Sequence, residues 1–362
     1  MSESSYIMRK IKLLPSWSLS NEENEALGSE LFVLLDLIHR TGTLSEAAKQ
    51  TGISYRHAWN QVNHWKSFFG SDLVTFTRGK GASLTEIGEK LLWAEQRVSA
   101  RVGPQLQSLS SEINTELNRA LTSARNSLTI HASHGYAVAY LPELLKMAPE
   151  FQVDLRYTGA AESLASLNRG DCELAGFHLP TEGNGQEIID SLAAFLDGSS
   201  HRFIHLVTRT QGLFVPSSNP KKIESLADLV NPDVTFVNRQ YPSGTRMLFD
   251  HLLNKNNMSA RDIEGYQSEE FTHAAVAAYV ASGMADTGFG VQPAADQFGL
   301  EFIPLAQEKY MFAFKKNGAR KKEILKLITL LKSLEFANYV GTLPGYTAPE
   351  AGKVVTLDEA IS

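Results

Sequence analysis

Cysteine is almost absent from this chain, whose 362 residues include only Cys172. A single thiol excludes an intramolecular disulfide and any zinc module built from several cysteines. No stretch approaches the roughly 18 apolar residues that a membrane-spanning helix requires. The opening residues also lack the apolar segment of a secretion signal. The sequence therefore predicts a cytoplasmic protein of a reducing compartment, without a membrane partner.

The short motifs of common enzyme classes are missing as well. The chain contains no G-x-S-x-G nucleophile elbow, no G-x-x-x-x-G-K-[ST] phosphate loop and no H-E-x-x-H zinc motif. His131 and His134, like His201 and His205, have a spacing that a metal site uses, but no carboxylate partner stands at ligand spacing. We therefore expect no metal site, no cofactor and no enzymatic activity.

What the chain does contain is a pair of short helices around a glycine. Residues 44–66 read L-S-E-A-A-K-Q-T-G-I-S-Y-R-H-A-W-N-Q-V-N-H-W-K. Gly52 supplies the turn, because a residue without Cβ adopts positive φ at little cost, and Ser54 stands where a helix N-cap belongs. Three apolar residues share one face at i, i+4 and i+7 and should be buried: Ala58, Val62 and Trp65. The pattern predicts a helix-turn-helix.

The surroundings of this pair indicate nucleic-acid binding. A strongly apolar helix at 31–39 precedes it, and after Gly70 two short strands flank a basic, glycine-rich tip, as in a winged helix. Between Lys49 and Lys80 the bases outnumber the only acid, Asp72, in a chain of net charge -6. Such a local basic excess is typical of a DNA-binding surface; the alternatives are a plain helical hairpin and a solvated basic surface. The candidate DNA-binding residues are Ser54, Tyr55, Arg56, Asn60, Asn63, Arg78 and Lys80.

A long apolar stripe follows the wing. From Leu84 to Leu121 apolar residues recur every three or four positions, as on one face of a helix. Such a stripe suits a helix that pairs with its copy in a second subunit, although the helix could instead pack on its own domain. We expect a kink or break at Gly103-Pro104, because the residue before proline avoids the α region. The pattern predicts a homo-oligomer, a dimer or a tetramer.

From Ser127 onward short apolar strands alternate with helices. This alternation predicts a mostly parallel sheet covered by helices, which binds ligands at the carboxyl ends of its strands. We place lobe I at about 127–206 and 308–350, and lobe II at about 207–307. Strands near residues 205–210 and 304–312 would join the lobes, leaving a cleft that closes around a ligand.

The best candidate for the ligand site is the segment F-V-N-R-Q-Y-P-S-G-T-R, in which a strand leads to a helix beginning near Ser243. Free backbone N–H groups at a helix N-terminus favour an anion, and Arg239 and Arg246 could clamp a carboxylate, a phosphate or another oxyanion. Alternatively, these arginines only stabilise the fold by pairing with nearby acids, namely Glu269, Glu270 or Asp286. The candidate ligand-binding residues are Ser133, His134, Thr158, Arg239, Ser243, Gly244, Thr245, Arg246, Thr272 and His273.

Two family resemblances accompany these motifs. Residues 11–100 resemble the N-terminal domain of the ModE family of molybdate-responsive regulators, and more loosely LysR-type regulators, through P-S-W-S-L, T-L-S-E-A-A-K-Q-T-G-I-S-Y-R-H-A-W, the R-G-K-G wing and L-T-E-I-G-E-K-L-L. Most of residues 127–340 resembles the type 2 periplasmic-binding-protein fold, in particular its molybdate-binding-like group, through R-T-Q-G-L-F-V, N-R-Q-Y-P-S-G-T-R and A-S-G-M-A-D-T-G-F-G. The resemblance implies a dimer on a palindromic operator and a small ligand in the cleft. Because molybdate binders of that group are described as using neutral donors, two arginines favour an organic or phosphorylated anion.

The sequence as a whole predicts an α/β protein of three parts. A winged helix-turn-helix covers 1–85, a dimerising linker helix and hinge cover 86–126, and a two-lobed, periplasmic-binding-protein-like sensing domain covers 127–350. The predicted function is that of a one-component transcription regulator, which binds double-stranded operator DNA and responds to a small anionic ligand. The alternative is a cytoplasmic small-molecule-binding or cofactor-binding protein whose N-terminal domain serves assembly only.

Overall fold

The computed structural model describes residues 11–22, 24–79, 81–121, 127–148, 152–181 and 186–361. Contacts divide the chain into two units, the first from Leu14 to Val102 and the second taking in the chain from Gly103 onward. Each unit has a hydrophobic core of its own. The helices of the described ranges do not combine the length and the apolar character that a membrane span needs.

The first unit has the predicted element order of a winged helix-turn-helix. Gly52 ends the first helix of the pair with φ of 74°, and the face of Ala58, Val62 and Trp65 on the second helix is buried as expected. The elements are β1 (Leu19–Ser20), β2 (Ala26–Leu27), α1 (Glu30–Thr41), α2 (Leu44–Thr51), α3 (Tyr55–Phe69), β3 (Val74–Thr77), β4 (Gly81–Leu84) and the start of α4 (Glu86–Leu121).

A glycine holds the wing against the helices. Gly81 begins β4 with φ of 89°, and a Cβ at this position would collide with the carbonyl oxygen of Gly42 at the end of α1. The same carbonyl accepts a hydrogen bond from the Ala82 N–H at 2.7 Å. A side chain at Gly81 would therefore cost both a strained backbone conformation and this contact.

Helix α4 has no break at Gly103-Pro104, where the sequence predicts a kink or a break. The helix spans Glu86–Leu121 and continues through Pro104. One proline removes a single backbone hydrogen bond, and the turns on either side keep theirs. The boundary between the two units nevertheless falls between Val102 and Gly103. The predicted linker segment 86–126 is therefore shared by the two units.

The second unit is built on a sheet of ten strands. The second unit extends beyond the predicted end at residue 350. Strand β14 pairs with β8, and α14 follows β14. The remaining elements in chain order are β5 (Ser127–Ala132), α5 (Tyr136–Ala139), α6 (Leu141–Leu144), β6 (Gln152–Tyr157), α7 (Ala160–Arg169), β7 (Leu174–Pro180), α8 (Gln186–Ala193), β8 (His201–Pro216), β9 (Phe236–Arg239), α9 (Gly244–Lys255), β10 (Glu269–Glu270), α10 (His273–Ala281), β11 (Thr287–Val291), α11 (Gln292–Gln297), β12 (Leu300–Lys315), α12 (Lys321–Leu331), α13 (Leu334–Gly341), β13 (Tyr346–Thr347), β14 (Val354–Val355) and α14 (Leu357–Ile361).

Two long strands join the lobes where the sequence predicted a connection. The sheet order is β10-β9-β11-β8-β12-β7-β5-β6, and β13 and β14 also pair with β8. Parallel strands form each end of the sheet, whereas β8 and β12 lie antiparallel to each other along their whole length. Because each of these two strands contributes to both lobes, the lobe boundary falls within the strands. Residues at that boundary lie beside both lobes.

The C-terminal half of α4 covers the exposed edge of the sheet. Strand β6 is the last in the sheet order, so one side of its backbone needs other partners. The N–H groups of Leu155 and Tyr157 donate to the hydroxyls of Ser111 and Ser108, each at 2.9 Å. This half of the helix therefore packs on the second unit, which is the alternative that the sequence left open for it.

Candidate functional site

The outer face of α3 is available for binding. The hydroxyl of Ser54 caps the helix by accepting the His57 N–H at 3.2 Å. Tyr55 is 52% exposed. Arg56, Asn60 and Asn63 are exposed too, and within the part of the chain that the structure describes their side chains make no hydrogen bond or ion pair. The predicted DNA-binding residues of α3 therefore share one surface, and the hydrogen-bond donors of Arg56, Asn60 and Asn63 are not used within the described part of the chain.

The wing adds Arg78 and an aromatic contact that the sequence did not predict. Arg78 is exposed in the turn between β3 and β4, whereas Lys80 lies outside the described residues. Trp59 lies between Tyr55 and Phe76, with ring centroids 6.4 Å and 4.9 Å apart respectively, and all three are partly exposed. These rings fix the wing relative to α3, on the face that carries Arg56.

In the second unit, the loops after β5 and β6 lie where they were predicted. The Ser133 carbonyl accepts the Tyr310 hydroxyl at 2.9 Å, and the ring of His134 packs edge-on against Tyr157 at 4.9 Å. The Thr158 hydroxyl lies 2.7 Å from that of Ser163 in α7. Hydrogen bonds and ring packing therefore fix the predicted residues of lobe I in place.

Two helices of lobe II begin with side-chain caps. Ser243 accepts the Arg246 N–H at 3.3 Å, and Thr272 accepts the Ala275 N–H at 2.9 Å. Thr245 and His273, in the first turns of these helices, are both buried. Capping satisfies one N–H in each helix, and other N–H groups of the first turn lack a carbonyl partner within the helix.

The N-terminus of α9 reaches a histidine of lobe I. A Cβ on Gly244 would lie 3.1 Å from Nδ1 of His178, a buried residue of β7 whose ring packs edge-on against Tyr310 at 4.2 Å. Neither ring nitrogen of His178 has a hydrogen-bond partner among the described residues. The missing side chain at Gly244 thus leaves room beside an unsatisfied polar ring.

Arg239 and Arg246 have different surroundings. Arg246 donates to Asp250 at 3.1 Å and to Glu269 at 2.9 Å, and its guanidinium stacks over Tyr266 at 4.1 Å. These contacts match the alternative in which the arginine stabilises the fold, and we propose that Arg246 does not hold the ligand. Asp286 instead accepts the N–H and hydroxyl of Thr235.

Arg239 is a buried cation without a carboxylate partner in the described ranges. It is 7% exposed, donating to the carbonyl of Phe271 at 2.9 Å and to Gln240 at 3.2 Å. Neither acceptor is charged. Since a buried charge is costly unless it is paired, Arg239 creates a position that favours an anion.

The sequence did not predict a buried polar cluster in the middle of the paired strands β8 and β12. The guanidinium Nε of Arg209 and the amide nitrogen of Gln211 both donate to Oε1 of Glu308 at 2.6 Å. All three side chains are buried, and Arg209 Nη1 and Gln211 Oε1 have no partner among the described residues. A Cβ on Gly135 would lie 3.2 Å from this Nη1, so the cluster borders the loop after β5.

The histidines of the site are neutral. Burial and the positive charges of Arg239 and Arg209 lower the pKa of His134 to about 4. Burial, with the same two arginines, lowers the pKa values of His178 and His273 well below the usual range. Each ring therefore carries one N–H donor and one acceptor nitrogen. Arg209 is paired with Glu308, whereas Arg239 donates to uncharged acceptors, so Arg239 is the charge that suits an anion.

Metal ligands are not brought together in the described ranges. No group of three or more histidine, cysteine, aspartate or glutamate side chains there has the arrangement of a metal site. Cys172 is buried, and burial raises the pKa of its thiol to about 12, which keeps it protonated and unreactive.

Comparison with known proteins gives two matched regions. Residues 29–89 match the bacterial regulatory helix-turn-helix protein, lysR family, and residues 142–332 match the PBP superfamily domain. Protein YvgK of Bacillus subtilis is 34% identical over 202 residues, which cover 55% of this chain and 64% of YvgK. The molybdenum-pterin-binding protein MopB of Rhodobacter capsulatus is 38% identical over 111 residues, covering 28% of this chain and 41% of MopB.

A solved structure, an H2O2-bound OxyR mutant of Corynebacterium glutamicum, aligns with a TM-score of 0.42 and 16% identity, covering 82% of this chain and 89% of OxyR. The chain spans less than two thirds of the length of the two curated relatives described above.

Proposed function

We propose, for a chain that belongs to the PBP superfamily domain family and carries a lysR-family helix-turn-helix, that it is a transcription regulator acting on operator DNA in the cytoplasm. In this proposal the winged helix binds DNA, and a small anion binds between the lobes of the second unit and changes that binding. We propose no enzymatic reaction for it. The single observation that carries the sensing role is Arg239, a buried cation whose described partners are all uncharged.

The route from ligand to DNA runs through α4 in this proposal. Tyr157, at the end of β6, contacts His134 in the ligand loop and donates its N–H to Ser108 of α4. A ligand that pulls the lobes together would move β6 and with it the attached helix. Because α4 continues without a break into the first unit, the movement would change the positions of the two α3 helices in a dimer.

The DNA-binding role is tested with Arg56→Ala. We expect this substitution to weaken binding to a selected genomic fragment by about 1–3 kcal/mol, because a free guanidinium on α3 supplies two donors to a guanine edge or a phosphate. Binding is measured by fluorescence anisotropy at fixed salt. The matched control is Lys90→Ala, since Lys90 is an exposed base on α4 already paired with Glu86, and this variant should bind like the unaltered protein.

If Arg56→Ala and Lys90→Ala bind every genomic fragment equally well, α3 is not the recognition helix. If neither variant nor the unaltered protein binds DNA, the N-terminal unit serves assembly, which is the alternative that the sequence left open.

We further propose that α4 pairs with its copy in a second subunit. Leu91 packs against the core of the first unit, so the part of the stripe left for a partner is further along. Val98, Leu109 and Leu117 are 38%, 47% and 44% exposed. Burial of such side chains contributes about 25 cal/mol per Å² of apolar area, which favours association through this face.

The assembly is tested with the double variant Val98→Asp and Leu109→Asp. We expect a monomer where the unaltered protein is a dimer or tetramer, because two buried carboxylates on the pairing face are not compensated there. Mass is measured by light scattering during size exclusion, and circular dichroism checks that the chain stays folded. The double variant Arg97→Gln and Arg101→Gln on the same helix is the charge control, because it lowers the net charge by the same two units. A folded double variant of Val98 and Leu109 that keeps its mass would place the interface elsewhere.

A further inference from the structure

The polar atoms around Glu308 that lack partners determine which hydrogen-bonding groups a ligand must have. Unpartnered donors in the described ranges include Nη1 of Arg209, and unpartnered acceptors include Oε1 of Gln211. Gln211 is fully buried. Its amide nitrogen is fixed by the 2.6 Å bond to the Glu308 carboxylate, so the oxygen is the atom left over. A flip of the amide would place oxygen against oxygen and is excluded.

His178 adds a second unsatisfied acceptor. Both of its ring nitrogens lack partners among the described residues, and the residue is 5% exposed. In a neutral imidazole one nitrogen donates and the other accepts, whichever tautomer is present. His178 therefore offers one donor and one acceptor at the point where Gly244 begins α9.

An anion without hydrogens satisfies only half of this set. The oxygens of sulfate or molybdate accept hydrogen bonds, so they can bind to Arg239, Arg209 and the helix N–H groups, but they leave Gln211 Oε1 and the acceptor nitrogen of His178 unpaired. An unsatisfied buried acceptor costs enough to weaken binding by roughly tenfold. Each O–H or N–H group that a ligand carries can pair with one of these two acceptors.

We propose that the site selects an anion that carries at least one hydrogen-bond donor of its own, and that Gln211 and His178 read this donor while the arginines hold the charge. This inference rests on the proposed ligand site and adds a specificity to it. The ligands that fit are protonated phosphates, phosphate esters with free hydroxyl or amino groups, and hydroxylated or aminated carboxylates, and bare oxyanions bind more weakly.

Hydrogen phosphate and sulfate test the proposal, because they have the same tetrahedral shape and the same charge but only the phosphate has an O–H group. Calorimetry on the full chain should show phosphate binding roughly tenfold or more tighter than sulfate or molybdate. In Gln211→Met, which removes one of the two acceptors, the ratio of phosphate to sulfate affinity should shrink, because phosphate loses a hydrogen bond and sulfate no longer leaves Oε1 unpaired, while His178 still accepts from phosphate. A purely structural role for Gln211 would instead weaken both anions in parallel.

Arg246→Met is the control variant, since the side chain of Arg246 pairs with Asp250 and Glu269, and it should keep the preference for phosphate. If sulfate binds as tightly as phosphate to the unaltered protein, and Arg239→Met abolishes both, the site stands and the donor requirement is wrong. If neither anion nor molybdate binds at all, the proposed anion site is wrong and this inference falls with it.

Discussion

Glu308→Gln should lower the free energy of unfolding of the second unit by about 3–5 kcal/mol, because it removes one partner of a buried ion pair. Glutamine keeps the shape of the side chain but not the charge that Arg209 and Gln211 share. Arg209 would then be buried without a counter-ion, close enough to Arg239 for the two positive charges to repel. Scanning calorimetry of the full chain should show the transition of the second unit shifted by about 10 °C.

The double variant Arg209→Met and Glu308→Met is the control for this prediction. Removing both charges leaves no uncompensated ion, and apolar side chains of similar volume often replace a buried pair at little cost. We therefore expect the double variant to be more stable than Glu308→Gln. A Glu308→Gln protein within about 1 kcal/mol of the unaltered chain would show that water or another group already compensates Arg209.

The helix-turn-helix was predictable because its determinants are local. Gly52 and Ser54 act on residues within one turn of them, and both take the expected roles in the structure. The period of Ala58, Val62 and Trp65 likewise needs only the geometry of one helix. Of the kink or break predicted at Pro104, the break is absent from the structure, since the local rule for the residue before proline says nothing about the packing that holds a long helix together.

The cluster around Glu308 was not predictable, because it depends on register between strands far apart in sequence. Arg209 and Glu308 are opposite each other only because β8 and β12 pair in that register, with a bulge on either side. An arginine and a glutamine within the apolar strand of β8 were the available signal. Without the partner strand, the sequence does not show whether such residues face solvent or a buried carboxylate.

Arg239 and Arg246 show a second limit of the sequence. Both flank the predicted helix N-terminus, and residue type alone assigned them the same role. Their difference lies in Asp250, which is one helical turn after Arg246, and in Glu269, which β10 brings alongside. The first of these pairs follows from i,i+4 spacing on a helix, so part of the distinction was present in the sequence.

Arg239→Met should abolish anion binding without destabilising the chain. Two charge-assisted hydrogen bonds from one guanidinium contribute about 3 kcal/mol or more in a buried site, so we expect the affinity for inorganic phosphate to fall by about 100-fold or more. The melting temperature should stay the same or rise, because the substitution removes a buried charge whose described acceptors, Gln240 and the Phe271 carbonyl, are neutral.

Arg246→Met provides the matched comparison, with the same change of side chain seven residues along. It breaks ion pairs to Asp250 and Glu269, so its melting temperature should fall while phosphate affinity remains within about twofold of the unaltered protein. Calorimetric titration and thermal unfolding are measured for both variants. The prediction requires that Arg239→Met lose phosphate affinity and that Arg246→Met lose thermal stability. If Arg239→Met melts well below the unaltered chain and still binds phosphate, Arg239 stabilises the fold and the anion site lies elsewhere.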